Sequence, residues 1–325
     1  ARLICALVVL LNLNRSAFDI TKAYCWADRP KDKLLALKYP DGFQEYDPVT
    51  GEELFIILRK NLYGDPAAGR LFGKARDKVI LEKFNADGWT CSRCKMDPCL
   101  FVIQKEGKRA WMLAHVDDCD ITGEGQDFCD SVKAVCATIW KITDVDPEYM
   151  LGIRRRLCHD SAGKVTECNM DMIAYVEGMA EAFKDHLPKG TMREPVPKGT
   201  FISKIDTVTD QEAQAVLDAG YQVAVGMLMW AVRQCYPGGK VAVSMLCRVM
   251  ARPHCALTYK RLWRLKCYLK TLCTQIAGGS KRQTQIIFNC SRLWSQRVVT
   301  HRLKIASQLD LELIELRSQL GGQLQ

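Results

Sequence analysis

The sequence predicts an α+β protein, and three observations predict it. Residues 98–123 contain three short apolar runs separated by turn residues, the pattern of an antiparallel meander. After residue 211 the apolar residues recur at helical spacing. Between these halves, residues 184–209 are rich in Pro, Gly, Lys and Thr and hold no sustained period, which marks a linker. Strands confined to the first half, with a second half of helices alone, belong to the α+β class rather than to an alternating βα chain.

Composition sets the frame. The chain has 325 residues, 48% hydrophobic and 26% charged, an ordinary globular balance with length enough for two or three domains or subdomains. Because it opens on Ala1 rather than Met, a fragment or a processed product is expected. The apolar run at 4–11 is too short for a membrane span and no small-residue cleavage site follows, so a buried helix is expected there, not a signal peptide. No other stretch suits a span; a soluble, unsecreted chain with no membrane partner is expected. The 16 cysteines are scattered singly, which fits reduced thiols better than a disulfide scaffold. Cys91, Cys94 and Cys99 offer half of a zinc spacing, but no second pair follows nearby.

In chain order, residues 2–13 read as a helix with an apolar face and 16–20 as a short strand carrying Asp19. Residues 30–48 are turn-rich, and 54–58 form a β-type run. Residues 61–73 begin with a Pro-containing turn and pass into a helix running to about Phe84. The meander comprises strands at 99–104, 110–116 and 119–122, with Glu106-Gly107-Lys108 turning the first pair and Asp117-Asp118 the second. A helix at 127–139 and a strand at 149–157 follow. Beyond the linker, helices are predicted at 211–233, 241–250 and 256–272, broken by Pro237-Gly238-Gly239 and Pro253. In the last, Leu262, Leu265, Leu269 and Leu272 form one stripe and Lys260 and Arg264 project opposite. The remainder is polar, basic and rich in Gln and Ser, with one amphipathic stretch near 305–320.

Two features carry chemistry. Adjacent aspartates at a hairpin tip repel one another unless a cation neutralises them, and their hard oxygens suit Mg²⁺. Asp19, at the end of a hydrophobic strand, is the candidate third carboxylate. The second feature is charge. Arg233, Lys240, Arg248, Arg252, Lys260, Arg261, Arg264, Lys266 and Lys270 lie between 231 and 275 without one acid, matching the whole-chain net charge of +9. Such a block suits a polyanion, although a solvated helical face is the commoner origin of a charge run.

Seven blocks run along the chain in order. They are Phe18-Asp19-Ile20-Thr21-Lys22-Ala23-Tyr24; Tyr39-Pro40-Asp41-Gly42-Phe43; Leu58-Arg59-Lys60-Asn61-Leu62-Tyr63-Gly64 with Ala68-Gly69-Arg70; and Asp97-Pro98-Cys99-Leu100-Phe101. Then come His115-Val116-Asp117-Asp118 with Ile121-Thr122-Gly123; Leu151-Gly152-Ile153; and a helical block of Tyr221, Val225-Gly226, Leu228, Ala242-Val243-Ser244, Arg248, Met250, Arg264 and Tyr268-Leu269-Lys270. In this order they resemble the reverse transcriptases of copia-type LTR retrotransposons, the RNA-directed DNA polymerase part of the Pol polyprotein, from about residue 3 to residue 271.

The resemblance implies a right-hand polymerase with an antiparallel-sheet palm, partial fingers and a helical thumb. It divides the chain into a palm with partial fingers (1–183), a linker (184–210), a basic helical thumb or connection (211–275) and a divergent basic tail (276–325). It also implies that Asp19, Asp117 and Asp118 hold two Mg²⁺ ions, with Mn²⁺ as the alternative, about 3.5–4 Å apart for nucleotidyl transfer from a dNTP to a primer 3′-hydroxyl. Ile20, Tyr24 and Arg70 would meet the incoming nucleotide. Tyr24 reads equally as a core aromatic, and Arg70 nearly as well as a surface residue. Arg248, Lys260, Arg264 and Lys270 would contact the phosphates of an RNA or DNA template with its primer. A virus-like particle in the cytoplasm, or the nucleus, is the implied setting, with other Pol or Gag segments as companions.

Some positions depart from the family. His115 stands for the usual Tyr, Ala67 for a common Gln, and Cys235-Tyr236-Pro237-Gly238 for a different tetrapeptide. Against the family's pattern the N-terminal fingers segment is expected to be missing, and no match to the acids of an RNase H domain is read after residue 271. A catalytically dead relic that only binds nucleic acid is therefore the second reading.

Overall fold

The computed structural model describes residues 2–86, 88–182, 194–195, 209–251, 266, 268 and 286–289. Most of the linker, most of the 256–272 stretch with Lys260, Arg264 and Lys270, and the tail apart from 286–289 lie outside the described residues. The described residues are mixed α and β, every paired strand is antiparallel, and they fall into two compact units divided between Pro147 and Glu148. Among the described residues no single helix is long and apolar enough to cross a membrane.

The first unit opens with α1 (Arg2–Leu11), whose Ile4, Leu7 and Val8 are buried. It stops because Asn12 turns left-handed (φ 51°) and the Leu13 amide donates back to the Val8 carbonyl at 3.1 Å, a Schellman ending that Asn tolerates. The chain then runs straight into β1 (Asn14–Ile20). Two 3₁₀ turns lead to β2 (Leu35–Lys38), which among the described residues pairs with β3 (Phe55–Leu58) alone. That ribbon leaves Leu35, Leu37, Phe55, Ile56 and Ile57 exposed.

Next comes α2 (Ala68–Phe84). Asp65 prepares its start: its Oδ1 accepts the Ala67 amide at 2.9 Å while its carboxylate pairs with Arg29. Both contacts lower the Asp65 pKa, the backbone hydrogen bond most.

The predicted meander forms as β5 (Leu100–Lys105), β6 (Lys108–His115) and β7 (Asp118–Gly123), each within two residues of its expected ends. Two strands that periodicity does not reveal join it, β4 (Thr90–Arg93) before it and β8 (Ile142–Asp144) after α3 (Gln126–Ala137). The resulting six-stranded sheet runs β4-β5-β6-β7-β1-β8. Alternate residues of its strands, Phe18 and Ile20, Phe101 and Ile103, Ala110, Met112 and Ala114, Cys119 and Ile121, share one core with Phe72, Ile80 and Phe84 of α2 and Phe128 and Val132 of α3. The intervening residues, Asp19, Asp118 and Asp120 among them, therefore belong to the opposite face.

Gly123 ends β7 where α3 crosses the sheet. A Cβ there would lie 2.9 Å from the Ala110 Cβ and 3.2 Å from both the Arg109 carbonyl and the Cys129 Sγ. Gly123→Ala is thus expected to cost about 1–3 kcal/mol through overpacking, read as a lower urea midpoint at unchanged slope.

The second unit corrects two expectations. The strand predicted at 149–157 is two strands, β9 (Tyr149–Met150) and β10 (Ile153–His159). Leu151 and Gly152 both take positive φ (53° and 74°), so Met150 and Ile153 face each other across a two-residue reversal. β10 pairs with β11 (Val165–Asp171), which leads into α4 (Ile173–Ala182). The helix predicted at 211–233 is likewise two, α5 (Asp210–Asp218) and α6 (Tyr221–Gln234). Gly220 at φ 82° breaks it, and α5 begins at a capping box between Thr209 and Glu212. Then follows α7 (Lys240–Cys247), tied to α6 by the Tyr221 hydroxyl donating to the Leu246 carbonyl at 2.9 Å. Strand β12 (Ile286–Asn289) completes the sheet β12-β11-β10-β9.

Candidate functional site

Register assembles the site. β1 and β7 pair so that Asp19 faces Asp118, and residues directly opposite one another in an antiparallel pair have Cβ atoms about 4.5–5.5 Å apart. β6 and β7 close at the His115–Asp118 pair, leaving Val116 and Asp117 as a two-residue loop. The Ile20 amide donates to the Asp117 carbonyl at 3.0 Å, fastening the end of β1 to that loop. Asp19, Asp117 and Asp118, far apart in sequence, thus come together at one end of two neighbouring strands. All three are half-buried.

Their proximity has an electrostatic signature. The Asp19 carboxyl is pushed above the usual carboxylate range, first by burial and then by the charges of Asp117 and Asp118. Asp118 is pushed up too, by burial and by Asp117, with His115 acting the other way. A group whose folded pKa is raised stabilises the fold at low pH and loses that contribution as pH rises through the raised value. Wild-type protein should therefore fall behind an Asp117→Asn variant in stability as pH climbs from about 4 to about 7, by an amount that Mn²⁺ reverses for wild type alone. Paired thermal melts at each pH check this.

Like charges held together by backbone register are the donor set that a hard divalent cation relieves, so the residues present fit Mg²⁺ or Mn²⁺. Among the described residues no three His, Cys, Asp or Glu side chains are already drawn into a ready cation cage. The carboxylates stand as neighbours that a cation would draw in.

The backbone at the hairpin is unusual. Val116 has φ 57°, and Lys22, just beyond β1, has φ 56°. A β-branched residue at positive φ is strained by roughly 1–3 kcal/mol, and such strain gathers at functional loops. Glycine is the residue that the first position of such a loop favours.

The other candidate residues divide. The Ile20 side chain is wholly buried in the core, so it serves the site through its backbone bond to Asp117. Tyr24 lies in the 3₁₀ turn Ala23–Trp26, half-buried, its ring 4.7 Å from that of Tyr63 and 6.2 Å from that of Phe72. Arg70 is exposed on the first turn of α2. Arg248 is exposed at the end of α7, in the second unit.

Three features of the first unit were not singled out from sequence. Tyr63 is one: burial first, then the charges of Asp117, Cys25 and Asp19, raise its phenol pKa, so it feels the carboxylates directly. An open cleft of about 320 Å³ is the second, lined by Thr21, Lys22, Cys25, Trp26, Lys60 and Lys141. It begins two residues beyond Asp19 and carries three lysines, one of which, Lys60, also reaches Asp28 at 3.5 Å. The third is a pair of buried arginines beside the aspartate hairpin. Arg15 pairs with Asp120 at 3.3 Å, and Arg76 reaches the hairpin backbone. Asp120 was legible as the next alternate residue along β7; nothing in the sequence distinguishes Arg76 from a surface arginine on α2.

No protein-family model matches the chain, and no curated protein matches it.

Proposed function

We propose that the chain is a retroelement-derived RNA-directed DNA polymerase whose two-metal site is Asp19, Asp117 and Asp118. The observation that carries this reading is the register of β1 against β7, which sets Asp19 opposite Asp118 beside the Asp117 loop. In the right-hand reading the six-stranded sheet with α2 and α3 is the palm, and α5, α6 and α7 belong to the thumb. Asp19, Asp117 and Asp118 would hold a pair of Mg²⁺ ions, with Mn²⁺ as the alternative, and the ions when bound would supply Lewis-acid activation of a primer 3′-hydroxyl and offset charge on the pyrophosphate.

The side chains have separate tasks. Asp19 and Asp118 furnish oxygens from neighbouring strands, and Asp117 from the loop between β6 and β7. Ile20 holds that loop against β1. The Tyr24–Tyr63 ring pair offers a wall for the sugar and base of a dNTP. Lys22, Lys60 and Lys141 give the adjoining cleft the charge that a triphosphate needs. Lys22→Ala with Lys141→Ala is expected to raise KM for dNTP about tenfold or more with little change in primer–template affinity. Steady-state kinetics beside a binding titration measures both.

Primer extension on an RNA template with Mg²⁺ tests the whole reading. Extension by wild type that disappears in Asp117→Asn supports the enzyme. Salt-sensitive nucleic-acid binding without extension supports the relic instead.

A further inference from the structure

We infer that Arg76 is a positioning residue that holds Val116, the first residue of the Val116-Asp117 loop, in its left-handed conformation and so sets the spacing of the carboxylates. The inference rests on the reading of that hairpin as a cation site, and it adds a residue outside every block of the family resemblance.

β5 begins at Leu100, which pairs with Leu113, so β6 runs past the end of its neighbour for its last two residues. The Ala114 amide finds the Cys99 carbonyl at 2.8 Å. The Ala114 carbonyl points to the same side, where β5 supplies no further donor. Buried carbonyls need partners. Arg76 supplies one from α2: its Nη1 donates to the Ala114 carbonyl at 2.8 Å and to the Val116 carbonyl at 3.4 Å.

The rest of the guanidinium is fixed as well. Its Nε and Nη2 donate to Asp77 Oδ1 at 3.1 and 2.8 Å, and Asp77 Oδ2 pairs with Arg93 at 3.2 Å. The Arg76 residue is only 6% exposed. A planar fork locked on one edge by a carboxylate can present its other edge rigidly, which a lysine ammonium cannot reproduce. Val116, whose carbonyl it grips, is the residue strained at φ 57°. The grip and the strain fall on the same loop, and Asp117 and Asp118 are the next two residues.

Arg76→Lys keeps the charge and removes the fork. The test follows alkylation of native thiols by N-ethylmaleimide, mapped by mass spectrometry. Cys119 is buried one residue beyond Asp118, while Cys129 and Cys136 are buried on α3 in the same core. The proposal expects Cys119 to react at least about tenfold faster in Arg76→Lys, with Cys129 and Cys136 unchanged, because only the hairpin end opens. It also expects Mn²⁺ affinity to fall about tenfold or more, as when an outer partner of a metal ligand is lost. Adding Val116→Gly, which removes the strain at positive φ, should restore both. Equal acceleration of all three thiols, no acceleration of Cys119, or no rescue by Val116→Gly would overturn the inference. So would an Arg76→Lys/Val116→Gly protein that does not fold. If wild type binds no Mn²⁺, the metal reading fails, while the thiol pattern still decides whether Arg76 holds the loop.

Discussion

Asp19→Asn is expected to lower primer extension by three decades or more while leaving the fold at least as stable as wild type. The loss corresponds to about 4 kcal/mol of transition-state stabilisation, the scale appropriate to removing an anionic ligand from a two-metal site. The gain has a separate cause. Asp19 is a carboxyl whose ionisation is opposed by burial and by Asp117 and Asp118, and Asn relieves all three without changing shape. A side chain kept only for packing would show the reverse, with activity tracking the folded fraction. Rates normalised to folded protein, set beside urea midpoints near neutral pH, separate the two.

Asp120→Ala carries the largest stability effect, although Asp120 is only two residues from Asp118 on the same face of β7. Its carboxylate is 1% exposed and pairs with an Arg15 side chain that is 5% exposed; Arg15 also donates to the Pro147 carbonyl. Deleting one member of a buried pair removes a compensating charge from the other, and the expected cost is about 3–5 kcal/mol. That is a large share of the roughly 5–15 kcal/mol that holds a domain folded. Replacing both partners, Arg15→Met with Asp120→Leu, should recover most of it, since apolar side chains of similar volume carry no desolvation penalty. Urea denaturation of the single and double variants gives the coupling directly. The two substitutions are thus expected to have opposite signs: loss of the Asp19 charge should favour folding, and loss of the Asp120 charge should oppose it.

The meander was legible because its strands are short apolar runs and the turns between them carry Gly or paired polar residues. Asp117-Asp118 could be set at a hairpin end for the same reason. Asp19 could be nominated by its place at the end of an apolar strand, but its partner could not. That depends on register, and a one-residue slip would have turned it into the core. β4 and β8 were missed because they are short and lean on strands already formed rather than on apolar alternation of their own. The break at Gly220 hides inside a continuous helical period, where one glycine is a weak stop without its left-handed φ. Leu151-Gly152 misleads similarly, since a leucine at positive φ is not a turn signal. Arg76 and Tyr63 act through contacts between segments remote in sequence, and only the packed chain shows those.

Asp19, Asp117 and Asp118 are proposed to act as one cation site. Titration of Mn²⁺ into wild type, Asp19→Asn and Asp117→Asn, followed by the electron-spin signal of free Mn²⁺, tests it most directly. Saturable binding by wild type is expected, weakening in both variants by at least about tenfold, although residues 19 and 117 lie on different segments. Binding that survives Asp19→Asn unchanged while Asp117→Asn abolishes it would contradict the account, because the register of β1 against β7 would then contribute no ligand.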